Sequence, residues 1–155
     1  MSLHSTAQLL NLKKSLDAHL ATALAESGVS IDWEGLVQNL SQDEEVVQPR
    51  LSLVGQERLG QGPEGLGQGL RFQLSLNIFV RAGEAAGRLA EIRDLLAEAF
   101  APGGRVEFYD YTPPTPALVD YLTIHRIVVD QGAPSKDGYI QHNLTLAGHL
   151  VQQWP

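Results

Sequence analysis

The glycine-rich stretch Gly60–Gly65 is the part of the chain whose residue spacing points most directly to binding chemistry. Its letters, GQGPEG, match the dinucleotide-binding pattern G-x-G-x-x-G. That pattern holds a pyrophosphate because its last glycines lead into a helix whose N-terminus faces the phosphates. Here the stretch leads instead into alternating apolar and polar residues, which is typical of a strand. We therefore predict a flexible hairpin tip over residues 60–69, and keep a small-ligand or nucleotide-binding domain using this loop as an alternative function.

Three histidines, at positions 125, 142 and 149, lie near the C-terminal end, where two strands are predicted. A hairpin that turns near Pro134 would place His125 opposite position 143 or 144 and leave His149 near the far end of the pair. No two histidines stand one helical turn apart on a helix, and acids nearby are few. The sequence therefore predicts no metal site and no cofactor.

The carboxylates and serines form no recognisable catalytic pattern. Acid–base catalysis needs two carboxylates in different environments, whereas the run Asp43-Glu44-Glu45 is typical of a solvated surface. The chain has no cysteine and no Gly-x-Ser-x-Gly elbow, so neither thiol chemistry nor a serine hydrolase is expected. We predict that the protein has no catalytic residues and is not an enzyme.

The net charge of −7 arises in one segment of the chain. No Lys or Arg occurs between Lys14 and Arg50, whereas seven acids do, and the remaining charges balance. Stable binding to a nucleic-acid backbone needs clustered basic residues, and the sequence shows no such cluster. We expect one acidic surface; a protein that grips DNA is disfavoured, whereas one that DNA passes without sticking is allowed. A DNA-mimicking inhibitor is a less favoured alternative, because the rest of the chain is neutral.

Two amphipathic helices are predicted from apolar residues at steps of three and four. The first runs from about Thr6 to Glu26, and Gly28 is placed to end it. The second opens at Gly83 and ends before Pro102. The apolar stripe of the first comprises Leu9, Leu12, Leu16, Leu20, Ala23 and Leu24, and that of the second Ala85, Leu89, Ile92, Leu96, Ala99 and Phe100.

Strands are predicted where apolar and polar residues alternate. The longest alternation covers residues 70–81, and its only apolar residue on the polar side is Phe79. Another strand is expected to start after Pro49, and residues 36–48 are left without an assignment. The remaining strands are predicted at 29–34, 105–111, 121–129 and 139–151, with a rigid proline connector at 112–117.

These elements predict an α+β fold with two amphipathic helices packed on one face of a mainly antiparallel sheet, in the order α-β-β-β-α-β-β-β. The 155 residues suffice for a single domain, 1–155. No apolar run approaches the roughly 18 residues that a membrane helix needs, and the first residues lack the features of a secretory signal. We therefore expect a non-membrane protein that acts inside the cell.

In layout, the chain resembles the tail terminator, or tail completion, proteins of tailed bacteriophages and phage-derived particles. The features that carry the resemblance are the N-terminal helix, the LRFQLSLNIFVR strand at 70–81, the RLAEIRDLL helix at 88–96, the VEFYDY segment at 106–111 and the final strand pair. The resemblance implies a structural virion protein, assembled in the host cytoplasm. It implies a homohexameric ring that caps the tail tube, ends its polymerisation and provides the surface for head–tail joining.

The partners that the resemblance implies are other copies of the chain, the tail tube protein, a head connector or neck protein, and in contractile tails the sheath. An alternative within the same class is another head–tail connector or neck protein. For subunit or partner contacts, the candidate residues are Gly62, Pro63, Leu66, Phe79, Tyr109 and Tyr111. A lumen that repels DNA phosphates would be lined by acids, for which the candidates are Asp32, Glu34, Asp43, Glu44 and Glu45.

Overall fold

The computed structural model describes residues 5–33, 45–59, 67–81, 85–134 and 139–153. The helices are α1 (Ser5–Leu24) and α2 (Ala85–Ala99). The described residues also form six strands, numbered in chain order, and α2 lies between the third and the fourth. They are β1 (Ser30–Ile31), β2 (Glu45–Leu59), β3 (Gly67–Arg81), β4 (Arg105–Asp110), β5 (Ala117–Pro134) and β6 (Tyr139–Gln153). The predicted α+β class is confirmed.

The six strands form one mixed sheet in the order β1-β2-β3-β6-β5-β4. Only the short β1 is parallel to its neighbour, and the other neighbouring strands run antiparallel. In the centre, β3 pairs with β6 along its whole length, from Gly67 opposite Gln153 to Arg81 opposite Tyr139. This long, continuous pairing gives the sheet a rigid middle on which the outer strands are registered.

Alternation along β3 separates two faces of the sheet. From Leu70 to Val80 every second residue is at most 2% exposed, and these residues join one hydrophobic cluster with the buried residues of β6 and of both helices. The helices contribute four residues each: Leu12, Leu16, Leu20 and Leu24 from α1, and Leu89, Ile92, Leu96 and Phe100 from α2 and the position after it. The face of β3 that this cluster covers is called the core face below, and the opposite one the polar face.

The predicted apolar stripe of α1 is buried at its four leucines from Leu12 to Leu24, but the buried face differs from the prediction in other positions. Leu9 is 42% exposed, whereas the polar residues Asn11 and Ser15 are each 2% exposed. The reason is that α1 lies along the free edge of β4, where Ser15 Oγ accepts a hydrogen bond from the Tyr109 N–H and Asn11 Oδ1 accepts one from Tyr111, each 3.0 Å long. A buried strand edge needs such partners, so part of the buried face of α1 is polar.

The start of β2 corrects the prediction around Pro49. The strand begins at Glu45 and continues through Pro49, which lies opposite Leu76. Proline is tolerated here because β1 pairs with β2 only at Val46 and Val47, so that among the described residues no strand pairs with this edge of β2 at Pro49. The unassigned residues 36–48 therefore include the first four residues of β2, and the others lie outside the described residues.

The last two strands are longer than predicted. β5 runs from Ala117 to Pro134, so it includes residues expected in the proline connector and in the following loop, with irregular pairing between Gln131 and Pro134. β3 follows residues 60–66 directly, in agreement with the predicted strand after the glycine-rich stretch. Leu59 lies opposite Gly67, so β2 and β3 are paired up to the point where the described residues stop. The tip itself, 60–66, lies outside them.

Candidate interaction surfaces

The polar face of the sheet assembles basic residues that are far apart in the sequence. Arg71 of β3 lies opposite His149 of β6, which lies opposite Thr123 of β5, which lies opposite Arg105 of β4. On the same face, Arg126 occupies the next row, level with Ala147 and Gln73. These positions follow from strand register, and the linear sequence does not show that the residues lie near one another.

A third row adds Arg50, which lies opposite Ser75, in line with Thr145 and Val128. Arg50, Arg71, Arg105 and Arg126 are all exposed, and we call these four residues the arginine patch. Successive rows on one face are about 7 Å apart and neighbouring strands about 5 Å, so the patch spans roughly 14 Å along the strands and roughly 20 Å across them, from β2 to β4. No Asp or Glu occurs among the described residues of these three rows, and the rows on either side of them hold acids: Glu107, opposite Tyr121, and Asp130, opposite Asn143.

Exposed apolar side chains accompany the patch. Tyr121 is 41% exposed and lies under the Arg105 guanidinium, whose central carbon is 5.8 Å from the ring centroid. Val128, opposite Thr145, is 37% exposed. The surface therefore combines charge with apolar area, which is the usual composition of protein contact surfaces.

Phe79, predicted as an interface anchor, lies on the polar face between Val46 and Gln141. Its side chain is half-buried, and Val46 beside it is fully buried. Phe79 is two rows away from the nearest row of the arginine patch, the one that contains Arg50 and Ser75. The role of Phe79 in subunit contact stays a prediction.

The histidines are placed differently from the predicted hairpin. A bulge between Ile124 and Arg126 sets His125 beside His149, with ring centroids 5.3 Å apart, so the predicted position of His125 opposite residue 143 or 144 is wrong. The bulge and the longer β5 shift the register. Across the described ranges, no three His, Asp or Glu side chains are grouped as a metal site would require.

His142 lies opposite Ile78, on the core face. Its Nδ1 atom is buried and has no hydrogen-bond partner among the described residues. Burial, together with the nearby positive charge of Arg93, lowers the pKa of His142 below its ordinary value. The imidazole is therefore held in its neutral form at neutral pH.

Tyr109 and Tyr111 lie together at the end of β4, with ring centroids 6.1 Å apart. The Lys14 ammonium lies 5.4 Å from the Tyr111 ring centroid. The Tyr109 hydroxyl donates to the Glu107 carboxylate, and this hydrogen bond raises the pKa of Tyr109 above its ordinary value. Both side chains are half-exposed, so this small aromatic surface beside α1 remains a candidate contact.

Between α1 and β4 lies an open groove of about 410 Å³. It is lined by Ser15, Ala18, His19, Thr22, Arg105, Glu107 and Tyr109. His19 is fixed by a 2.7 Å hydrogen bond between its Nε2 and the Ala99 carbonyl, and it packs edge-on against Phe100. The histidine thus links α1 to the end of α2 and is engaged in holding the helices together.

Two of the candidate lumen acids lie in the described residues, and both are engaged inside the fold. Asp32 is 4% exposed and accepts a 2.8 Å hydrogen bond from Gln48. Glu45 accepts hydrogen bonds from Arg88 Nε at 2.8 and 2.9 Å, and the same guanidinium also donates to the Ser27 carbonyl. A lumen carboxylate must face water, which Asp32 does not do in the single chain.

The other candidates fall outside the described residues. These are the lumen acids Glu34, Asp43 and Glu44 and the contact residues Gly62, Pro63 and Leu66. Their roles stay predictions.

The outer side of α2 forms a second charged surface that the sequence analysis did not single out. Glu91 and Asp94 have side chains 70% and 74% exposed, and Glu98 is exposed as well. Leu95, which lies among them, is 37% exposed. We call Glu91, Asp94, Leu95 and Glu98 the acidic helix face. The signal for it was present in the sequence, because these residues fill the gaps between the buried positions of α2.

The charged side chains of α2 point in different directions: Arg88 contacts the rest of the fold, and the carboxylates are exposed. Arg88 turns to Glu45 and the Ser27 carbonyl, so it ties α2 to β2 and to the segment after α1. Its pairing with Glu45 raises the pKa of Arg88 further above its ordinary value. The ion pairs Arg88–Glu91 (3.1 Å) and Arg93–Asp94 (3.4 Å) are exposed on the carboxylate side. Exposed pairs contribute only about 0–1 kcal/mol, so these carboxylates are readily available to another partner.

No family model matches the chain, and no curated protein matches it. Solved structures do match, and one of them, from a protein whose name describes no activity, aligns with a TM-score of 0.59 at 13% sequence identity. The alignment covers 94% of this chain and 96% of that one. At this identity the likeness shows the fold alone, and it shows it for nearly the whole chain.

None of the described helices is both long and apolar enough to cross a membrane.

Proposed function

We propose that this protein is a structural subunit of a phage or phage-derived tail, which forms a homohexameric ring that caps the tail tube, ends its polymerisation and joins it to the head. The proposal begins from the resemblance of its elements to tail terminator proteins. One observation carries it further: the subunit has exposed charged surfaces on both sides of its fold, the arginine patch on the polar face and the acidic helix face on the other side. A subunit that contacts a neighbour on each side is what a closed ring requires.

The finer arrangement of the fold belongs to the same proposal. We infer that α1 and α2 both cover the core face, because the buried residues of both helices join the cluster that contains Leu70 to Val80 of β3. The polar face would then be left for other subunits. In a ring, Phe79 and the Tyr109–Tyr111 pair would be secondary contacts, and DNA would pass through the ring without specific binding.

The purified chain tests the proposed assembly. Light scattering should give a mass about six times the 16.9 kDa of one chain, and negative-stain images should show annuli. A tagged chain added to tail tubes should be found by gold labelling at one end of each tube. Label at the joint between head and tube, without an effect on tube length, would instead indicate the connector alternative.

The nucleotide-binding alternative has its own test. A ligand present at 100 times its Kd stabilises a protein by about 2.7 kcal/mol, which is easily seen as a thermal shift. We expect no shift with common nucleotides. A shift that is lost when Gly62 is replaced would favour the alternative.

A further inference from the structure

The arginine patch and the acidic helix face are complementary surfaces of the same molecule. The patch has four exposed guanidinium groups and no acid among the described residues of its rows. The helix face has three exposed carboxylates around Leu95. This separation is notable in a chain with only 11 basic residues and a net charge of −7.

The two surfaces cannot meet within one chain. The buried residues of α2 pack on the core face, whereas the patch lies on the opposite face of the same sheet. Their complementarity is therefore available only between molecules. A contact between two different surfaces of identical subunits is heterologous. It closes into a ring when the rotation from one subunit to the next divides a full turn into a whole number of equal parts.

We propose that the arginine patch of each subunit binds the acidic helix face of the next copy, and that this contact is the subunit interface of the ring. The inference rests on the proposed function and names the surfaces that build it. Leu95 would pack against Tyr121 and Val128, the exposed apolar residues beside the arginine patch. Asp94 and Glu98 would face the guanidinium groups of the patch. The charge pairs orient the subunits and offset the repulsion between their net charges, and apolar contact adds to the affinity.

Nucleic acid is the competing occupant of the patch. Four arginines in a patch of this size would also attract phosphates. The second copy is favoured because it supplies a surface of opposite charge, with the exposed apolar residue Leu95 among the carboxylates, at the same concentration as the patch itself. The outer acids of α2 would also repel a DNA strand that approaches across the assembled ring.

A charge exchange tests the interface directly. The first variant carries Arg50→Glu with Arg126→Glu, and the second carries Asp94→Arg with Glu98→Arg. Alone, each variant brings like charges together at the interface and should stay monomeric at a concentration where the unchanged chain is assembled. Mixed in equal amounts, the two should assemble, because each presents the charge that the other now lacks. An alternating ring needs an even number of subunits, which six satisfies.

Matched controls carry the same change in net charge on α1 and in the turn that follows it. Lys13→Glu with Lys14→Glu, and Asp17→Arg with Glu26→Arg, should assemble like the unchanged chain. Circular dichroism and thermal unfolding establish that each variant is folded. If Arg50→Glu with Arg126→Glu fails to fold, the single change Arg126→Glu replaces it.

The outcomes separate this inference from the proposed function. Single variants that still form rings, or variants that fail to assemble when mixed, overturn the interface and leave the ring intact as a proposal. An unchanged chain that is monomeric by light scattering overturns both. Binding of a 20-base-pair duplex by the unchanged chain at 150 mM salt, lost on Arg126→Glu without any change in assembly, overturns the interface in favour of nucleic acid.

Discussion

Gly148 shows how a single residue decides the packing of the sheet centre. It lies between Phe72 and Ile124, and a Cβ atom there would be 2.5 Å from Phe72 Cζ and 2.8 Å from the Thr123 carbonyl oxygen. The Phe72 ring therefore occupies the space that a side chain would need. Only glycine lets this ring cover β6 without moving the backbone.

Gly148→Ala should destabilise the protein by about 1–3 kcal/mol, because the methyl group overpacks a rigid site. Urea unfolding measures the change. Gly87→Ala is the matched control. Gly87 lies on α2, and apart from its chain neighbours and the backbone of its own helix no described atom lies within 4 Å of its Cβ position, so the change should stabilise the helix slightly. Equal effects of the two changes would contradict this account of the site.

His142 makes stability depend on pH. Its folded-state pKa is lowered by burial, so the unfolded chain binds a proton more readily as the pH falls through about 6.5. The free energy of unfolding should therefore decrease between pH 7 and pH 5.5. His142→Gln should remove part of that decrease, whereas His125→Gln, an exposed control, should not. Identical pH profiles for all three proteins would show that His142 is not the group responsible.

At the scale of elements, α1 closes an edge that would otherwise pair with other chains. Asn11 and Ser15 accept hydrogen bonds from two backbone N–H groups of β4 and its following residue. Exposed strand edges promote unwanted pairing, and a helix laid along the edge prevents it. The cost is that two polar side chains are buried beside the core, where each must keep its partner.

Ser15→Ala should leave the Tyr109 N–H without a partner and destabilise the protein by about 1–3 kcal/mol. The Tyr109 amide should also exchange with solvent deuterium faster. Thr22→Ala is the control, because its hydroxyl donates only to the exposed Ala18 carbonyl of its own helix. If Ser15→Ala is as mild as the control, water replaces the lost acceptor and α1 does not seal the edge.

At the scale of the whole molecule, the arrangement of charge matters more than its sum. A net charge of −7 alone would make copies repel one another. In the proposed interface, separation of the arginine patch from the acidic helix face would let neighbours attract each other locally despite that repulsion. The assembly should therefore respond to salt.

Raising the salt concentration from 0.05 to 1 M should shift the light-scattering mass toward the monomer. The Debye length falls from more than 10 Å to about 3 Å over this range, which screens exposed charge pairs. A sucrose solution with the same refractive index as the salt solution is the control for effects of the solvent on the scattering signal. A mass that stays constant or increases with salt would contradict this prediction, and it would indicate an interface held mainly by apolar contacts such as those of Leu95.

Local periodicity was enough to predict most of the elements. The alternation along 70–81 and the apolar steps in 85–100 depend only on which side of one element is buried, so the sequence carries them directly. Strand pairing depends on contacts between distant residues. The bulge at His125 and the continuation of β2 through Pro49 arise from neighbouring strands, which is why the histidine pairing and the start of β2 were predicted wrongly.

The amino-acid sequence by itself determined the α+β class, the buried stripe of α2 and the strand that follows the glycine-rich stretch, because each of these is encoded by residues close together in the chain. Only the tertiary structure decided that Arg50, Arg71, Arg105 and Arg126 share one surface and that Asn11 and Ser15 serve β4. The physical reason is that strand register places on one face arginines up to 76 positions apart in the chain, and no local pattern records which strands will be neighbours.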